Sequence, residues 1–214
     1  MIPKNGLFKK SAWVVFYLIF CVPLAHAAEG CVINGFTGKI QVLREGVWMD
    51  LKEKEVLKTN DHLSTEADAT LDMSMNDLAG IRILPRTEVE ITGWKSDNML
   101  LNLVKGNLIV NLKKLPADSN FHVETPTALA TVRGTQFWGR LEENGETPVT
   151  TFAVRQGLVD VMYKVNFGRI YSLSPGQAVD LPKTVSEIKA TMRKALPEEL
   201  KAMEQADAIP TEAV

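Results

Sequence analysis

Few residues of this chain carry the side chains that catalysis or metal binding requires. Beyond the first 27 residues there are two histidines, His62 and His122, and one cysteine, Cys31. Asp61 precedes His62 directly, and adjacent side chains of a strand point to opposite faces, so the two do not form a shared acid–base site. His122 lies between two apolar residues. That context is typical of a half-exposed strand histidine rather than a metal ligand.

The motifs of common catalytic classes are missing too. The sequence has no H-E-x-x-H, no G-x-S-x-G, no glycine-rich phosphate loop and no paired-cysteine spacing. A glycosidase needs only two carboxylates, and acidic residues are plentiful, but none has a distinctive context. We expect a non-enzymatic protein without metal or cofactor. An enzyme with an unrecognised carboxylate pair is the alternative.

The first residues have the pattern of an export signal. Three lysines precede an apolar run of 14 residues from Ala12 to Ala25, and Ala25-His26-Ala27 offers a small-residue cleavage site. The run is shorter than the roughly 20 residues of a membrane-spanning helix. We expect residues 1–27 to be the cleaved signal peptide of a periplasmic or secreted protein. An uncleaved N-terminal anchor is the alternative.

Without that segment the chain has 187 residues, enough for one domain with its own core. The segment contains three lysines and no acid, so the formal net charge falls from −2 to −5 on its removal. An acidic chain without a basic run argues against a nucleic-acid partner. Cys31 alone makes no intramolecular disulfide. Glu29 is unsuited to lipoprotein processing, which favours an ordinary small residue near the start of a strand over a lipid anchor.

Alternation of apolar and polar residues dominates from Val32 to Leu181 and predicts many short strands. Examples are "GKIQVLREGVWMDL" and "ATLDMSM", and Asn144-Gly145 supplies a tight hairpin turn. Three runs of the form G-x-h-x-V begin at Gly38, Gly106 and Gly157, where h is aliphatic. Their spacing is irregular, so they predict glycine turns that feed buried strands rather than a solenoid. The pattern predicts an all-β sandwich, barrel or roll over residues 28–182.

Residues 183–214 have a different, helical pattern. Thr184 to Glu187 match a capping box, and apolar residues up to Leu196 lie on one helical face. A second helix is predicted to begin at Pro197, and "DAIPTEAV" is predicted to be a flexible tail.

The stretch "VETPTALATVRGTQFWG", Val123 to Gly139, combines strand-forming residues with strand breakers. Pro126 has no amide hydrogen and pushes Thr125 to an extended conformation, which suits a bend or a strand edge. Gly134 allows positive φ and re-aims the chain before Phe137. Arg133 has five donors, and we interpret it as an internal clamp of this corner. Ligand binding by Arg133 is the alternative.

The same stretch resembles the FecR domain family of bacterial envelope proteins. Thr125-Pro126, the small-residue strand, Val132-Arg133-Gly134-Thr135 and Phe137 fit the family pattern, as do "LKTNDHLST", "ILPRTEVEI" and "LSPGQAVDL". One departure is Asp77-Leu78-Ala79-Gly80, where relatives show D-G-S in a tight turn. The resemblance implies a FecR-like β-sandwich or roll.

The resemblance also implies envelope signalling through a membrane helix and a cytoplasmic segment that handles a sigma factor. We expect neither the membrane helix nor the cytoplasmic segment in this chain. We therefore expect a free-standing exported module that binds an unidentified envelope protein. A cell-wall glycan binder is the second hypothesis, since Trp48, Trp94 and Trp138 would stack on sugars if they were exposed together.

Overall fold

The computed structural model describes residues 31–75, 78–95, 98–144, 147–166, 168–183 and 190–211. Nearly all of the regular structure in these residues is β-strand, with one helix near the C-terminus, which confirms the predicted all-β class. The predicted signal peptide lies outside the described residues, as does Gly145 of the predicted hairpin turn. No helix among the described residues is long and apolar enough to cross a membrane.

The regular elements are the strands β1 (Cys31–Thr37), β2 (Ile40–Arg44), β3 (Val47–Asp50), β4 (Val56–Leu57), β5 (His62–Thr65), β6 (Thr70–Met75), β7 (Ala79–Ile83), β8 (Glu88–Lys95), β9 (Asn98–Leu112), β10 (Asn120–Glu124), β11 (Ala128–Val132), β12 (Gln136–Asn144), β13 (Thr147–Gln156), β14 (Val159–Tyr163), β15 (Arg169–Leu173), β16 (Gln177–Pro182) and β17 (Thr191–Lys194), and the helix α1 (Pro197–Gln205).

These strands form two sheets that share the long strand β9. Sheet A has the order β4-β1-β6-β7-β9-β12-β13-β16-β17. Sheet B has the order β3-β2-β5-β8-β9-β10-β11-β14-β15. Only the β9–β10 pair is parallel among the described pairings. The first half of β9 belongs to sheet B and the second half to sheet A, so this strand holds the two sheets together.

One hydrophobic core lies between the sheets. The inward side chains of both sheets form a single buried cluster, because alternate residues of each strand point to the same face. Its largest members include Phe121 and Tyr163 from sheet B and Phe137 and Phe152 from sheet A. The Tyr163 hydroxyl donates a hydrogen bond to the Pro182 carbonyl, at 2.5 Å, which satisfies a polar group inside this core.

Glycines lie at several of the places where the chain passes from one sheet to the other. Gly38 lies between β1 and β2, Gly106 lies within β9, Gly134 lies between β11 and β12, and Gly157 lies between β13 and β14. All four have φ between +69° and +92°, which other residues adopt only with strain. Three of them begin the G-x-h-x-V runs of the sequence, so each of the predicted glycine turns lies at a crossover between the sheets.

A second, smaller hydrophobic cluster covers the outer face of sheet A. Ile109, Trp138 and Ala153 from the sheet pack there against Met203 and Ile209 from the C-terminal segment. The second half of β9 is therefore buried on both faces, which explains its nearly continuous apolar sequence. Helix α1 begins at Pro197 as predicted, and Glu199 accepts a hydrogen bond from the Leu196 amide at 2.7 Å.

The prediction of a helix reaching Leu196 is wrong for its second half. Thr191–Lys194 forms strand β17, which pairs with β16 at the edge of sheet A. Arg193 ties this strand down, because its guanidinium donates to Asp180 at 2.7 Å and to Glu199 at 2.6 Å. The predicted capping box at Thr184 lies outside the described residues.

The predicted flexible tail is also wrong for the residues the structure describes. Ile209 is buried in the cluster on sheet A, and the Asn34 side chain donates to the Pro210 carbonyl at 3.3 Å. Gly80 permits this approach, since a Cβ on Gly80 would lie 2.9 Å from the Pro210 oxygen. The departure from the family pattern at Ala79-Gly80 therefore begins a strand against which the tail docks.

Candidate functional site

The segment from Thr125 to Phe137 links three strands and both sheets. Thr125 and Pro126 form the turn between the antiparallel strands β10 and β11. Arg133 to Thr135 then carry the chain from β11 in sheet B to β12 in sheet A. The break in the sequence pattern is thus a change of sheet.

A chain of buried hydroxyl groups holds the first turn. The Thr125 Oγ1 accepts hydrogen bonds from the Ala128 amide at 3.0 Å and from the Thr150 hydroxyl at 3.0 Å. The Thr127 hydroxyl in turn donates to Thr150 Oγ1 at 2.6 Å. All three threonines are buried, so these bonds replace water that the groups have lost. Pro126 is exposed and leaves no amide hydrogen unpaired in the turn.

The second turn depends on two glycines from different crossovers. A Cβ on Gly134 would lie 2.8 Å from the Lys114 Cα, and a Cβ on Gly157 would lie 2.5 Å from the Gly134 carbonyl oxygen. Such distances leave no room for any side chain at either position. Thr135 and Phe137 follow inside the protein, and the Phe137 ring lies 6.3 Å from the Phe152 ring between centroids.

Arg133 does not act as an internal clamp, so that interpretation is wrong. Its side chain is exposed and has no hydrogen bond or ion pair with any described residue. Arg133 directly follows the buried Val132 at the end of β11, and its side chain is exposed while the Gly134 backbone packs against Lys114. Close backbone packing at Gly134 holds the corner instead.

A cavity of about 460 Å³ lies beside this corner. Arg133, Gly134 and Gly157 line it together with Lys114, Leu158 and Asp160. Lys114 is also exposed and makes no hydrogen bond or ion pair within the described chain. Asp160 accepts a hydrogen bond from the Ser172 hydroxyl at 2.5 Å. The cavity therefore combines two unpaired cations, one engaged carboxylate and an exposed leucine.

Neither Lys114 nor Leu158 is among the candidate residues predicted from the sequence. A signal for Leu158 was present, because it alternates with the buried residues Val159 and Val161 and must point outward from sheet B. Its exposed fraction is 64%, unusual for leucine. Lys114 gave no signal, since it approaches Gly134 only in the folded chain.

The three tryptophans of the glycan hypothesis are not brought together. Trp48 is 47% exposed on the edge strand β3 and contacts His62 edge to face, with 5.9 Å between ring centroids. Trp94 is half-buried against the main core. Trp138 lies on the other sheet, buried under the C-terminal segment. No joint stacking surface forms from these side chains.

Asp61, His62 and His122 form no joint site, and each contacts a different partner. Asp61 lies in a buried ion pair with Arg44, at 2.6 Å, whereas His62 faces Glu88 at 3.4 Å. The His122 Nδ1 lies 3.1 Å from the Thr131 hydroxyl oxygen, and burial lowers the pKa of the His122 imidazole, opposed by the nearby Glu124 charge. No three metal-ligating residues cluster within the described ranges.

Cys31 is fully buried at the start of β1. Burial is the main cause that raises the pKa of its thiol, and the nearby Asp61 charge adds to it. A thiol held neutral in the core is unreactive. This placement agrees with the expected small residue near the start of a strand, and the structure adds that it belongs to the core.

Part of the chain is similar to a known protein family and to solved structures. Residues 61–160 match the model of the family described as FecR protein. Two crystal structures, at 1.65 Å and 2.50 Å resolution, of a "putative anti-sigma factor from Parabacteroides distasonis ATCC 8503" share the fold, each with a TM-score of 0.56 and 18% identity. The alignment covers 67% of this chain and 64% of the anti-sigma factor chain, a little less than two thirds of it. No curated protein matches the chain.

Proposed function

The chain contains a FecR domain at residues 61–160, and from that premise we propose that it is an exported, non-enzymatic module that binds a protein partner in envelope signalling. The family match and the fold shared with a chain described as an anti-sigma factor support a FecR-like signalling module. We propose further that it resides in the periplasm and recognises an envelope protein.

The exposed Arg133 is the observation that carries the binding role. A corner whose stability comes from glycine packing has no structural use for a solvent-facing guanidinium with no partner within the described chain. Arginine is a preferred anchor of protein interfaces because its planar guanidinium binds a carboxylate through two parallel hydrogen bonds. Its presence beside a cavity favours contact with another molecule.

Among the residues that the structure describes, the histidines and the cysteine lie apart and form no joint catalytic or metal-binding group, which supports a non-enzymatic role. Both histidines beyond the predicted signal face partners that occupy them, and Cys31 is buried. The predicted signal at residues 1–27 supports export. The β body supplies the rigid scaffold that a binding surface needs.

Two measurements test the proposal. The first is protease accessibility of the chain in spheroplasts, where an exported protein is digested while the inner membrane stays intact. Recovery of undigested chain with residues 1–27 still attached would contradict export. The second is capture of envelope proteins on the immobilised full chain, followed by competition with free chain. A captured protein that free chain displaces in a saturable way supports a binding module. Absence of any saturable capture contradicts it.

A further inference from the structure

We propose that the cavity formed by Arg133, Lys114 and Leu158 binds an extended peptide segment that carries a carboxylate next to an aliphatic side chain. This inference rests on the proposed function and names the site and the chemistry of the partner segment.

The positive charge of the cavity favours a carboxylate in the bound segment. Arg133 and Lys114 are exposed and unpaired within the described chain, and both line the cavity. The one acid of the lining, Asp160, already accepts the Ser172 hydroxyl at 2.5 Å. The cavity is therefore net positive, although the whole chain has a net charge of −2. A carboxylate placed between a guanidinium and an ammonium gains charge-assisted hydrogen bonds from both.

The exposed apolar side chains at and near the cavity favour an aliphatic side chain in the bound segment. Leu158 is 64% exposed at the cavity, and Ile170 is 62% exposed on the neighbouring strand β15. Ile170 lies opposite Met162, which shares the outward face of β14 with Asp160. Beyond the polar pair Asp160 and Ser172, this outward face continues with the apolar residues Met162 and Ile170. An aliphatic side chain laid on it is removed from water at a gain of roughly 25 cal/mol for each Å².

These two features favour a peptide over a free phosphate or a glycan as the ligand of the cavity. A free phosphate would use the cations and leave Leu158 in water. A neutral glycan would need an aromatic platform, and no aromatic side chain is among the lining residues. The volume of about 460 Å³ accommodates a few side chains. An extended segment with alternating acidic and aliphatic residues meets both requirements at once.

Two short synthetic peptides test the site. One alternates leucine and glutamate, and the other has glutamine in place of every glutamate. Binding of each labelled peptide to the exported full chain is measured by fluorescence polarisation. The glutamate peptide is expected to bind at least about tenfold more tightly, as the loss of charged hydrogen bonds implies.

Variants locate the site. Arg133→Gln and Leu158→Ser are each expected to weaken binding of the glutamate peptide by about fivefold or more. Lys58→Gln and Val47→Ser are matched controls, since Lys58 is an exposed cation on the β4–β5 connection and Val47 is 59% exposed on β3. The controls are expected to stay within about twofold of the wild-type affinity. Thermal denaturation of each variant verifies that all four changes leave the fold intact.

The outcomes separate this site from the proposed function. Equal affinity for both peptides, or equal losses in the site and control variants, overturns the site. Displacement of the glutamate peptide by inorganic phosphate at equal concentration reveals a simple anion site and overturns the proposed contact between Leu158 and an aliphatic side chain. Binding of purified peptidoglycan that depends on Arg133, with no peptide binding, overturns it in favour of a glycan. If the wild-type chain captures an envelope protein and the Arg133→Gln and Leu158→Ser variants capture it equally well, the site fails and the proposed function stands.

Discussion

The carbonyl oxygen of Gly134 lies where a side chain on Gly157 would begin, 2.5 Å from the position of a Cβ. These residues belong to two crossovers in opposite directions, from sheet B to sheet A and from sheet A to sheet B. Their backbones touch because Gly157 has no side chain, whereas a side chain on Gly134 would meet the Lys114 backbone. The corner beside the cavity is therefore built on direct contact between two glycines.

Gly157→Ala should lower the free energy of unfolding by about 3 kcal/mol, because strain at positive φ adds to a backbone clash. Gly46→Ala is the matched control. Gly46 has φ +81° but nothing within 4 Å of a Cβ, so it should cost only about 1 kcal/mol. Urea denaturation measures both. Equal losses would mean that the close approach of the two crossovers is unimportant. Gly134→Val should destabilise the domain for the same reason as Gly157→Ala.

Arg133→Ala should change the free energy of unfolding by no more than about 0.5 kcal/mol, as is usual for an exposed residue without contacts. Arg44→Ala is the contrast. It removes the partner of Asp61, whose side chain is 1% exposed, and a buried carboxylate left unpaired costs about 3 kcal/mol or more. Thermal and urea unfolding of both variants make the comparison. A large loss for Arg133→Ala would restore the corner clamp and remove the argument for a binding role.

Thr125→Val should destabilise the domain by about 1–3 kcal/mol, because the Ala128 amide and the Thr150 hydroxyl would lose their buried acceptor. Thr125→Ser keeps the oxygen and removes only a methyl group, so its loss should be smaller. Chemical denaturation of the two variants side by side isolates the hydrogen bonds. A serine variant as unstable as the valine variant would assign the effect to packing.

The docking of the C-terminal segment should weaken in acid. Asp207 accepts hydrogen bonds from the Gln136 amide at 2.8 Å and from Arg155 at 2.6 Å, and the bond from Gln136, followed by that from Arg155, lowers the pKa of Asp207. A carboxylate with a lowered folded pKa stabilises the docked state fully above its unfolded pKa of about 3.9. That stabilisation is lost as the pH falls through the lower folded value.

Methyl NMR of Ile209 follows this change, since Ile209 is buried only in the docked segment. The Ile209 signal should move toward its undocked position as the pH falls below about 4. Asp207→Asn should remove the part of the titration that belongs to this carboxylate. An unchanged titration curve in Asp207→Asn would assign the acid response to other groups.

The strands could be predicted because their signal is local. In β5, β10 and β14 buried and more exposed residues alternate with the period of two that the pleat imposes. The start of α1 at Pro197 is local too, since proline suits the first turn of a helix. Recognition of the FecR pattern from the residues around Val132-Arg133-Gly134-Thr135 was confirmed by the family match.

The errors concern residues whose state depends on distant partners. Thr191–Lys194 is a strand because β16 offers an open edge and Asp180 offers a carboxylate to Arg193. Ile209 is buried because Trp138 and Met203 leave an apolar surface for it. These partners are not visible in the local sequence, so the local pattern predicts a helix and a flexible tail.

By itself, the sequence determined the β class of this protein, the glycine turns at Gly38, Gly106 and Gly157 and the match of residues 61–160 to the FecR family, since all three are encoded in neighbouring residues. Only the tertiary structure decided that Arg133 faces solvent and that Lys114 and Leu158 stand beside it. These side chains come from the β9–β10, β11–β12 and β13–β14 connections. They meet because two crossovers pack backbone against backbone, and such a contact depends on the arrangement of both sheets.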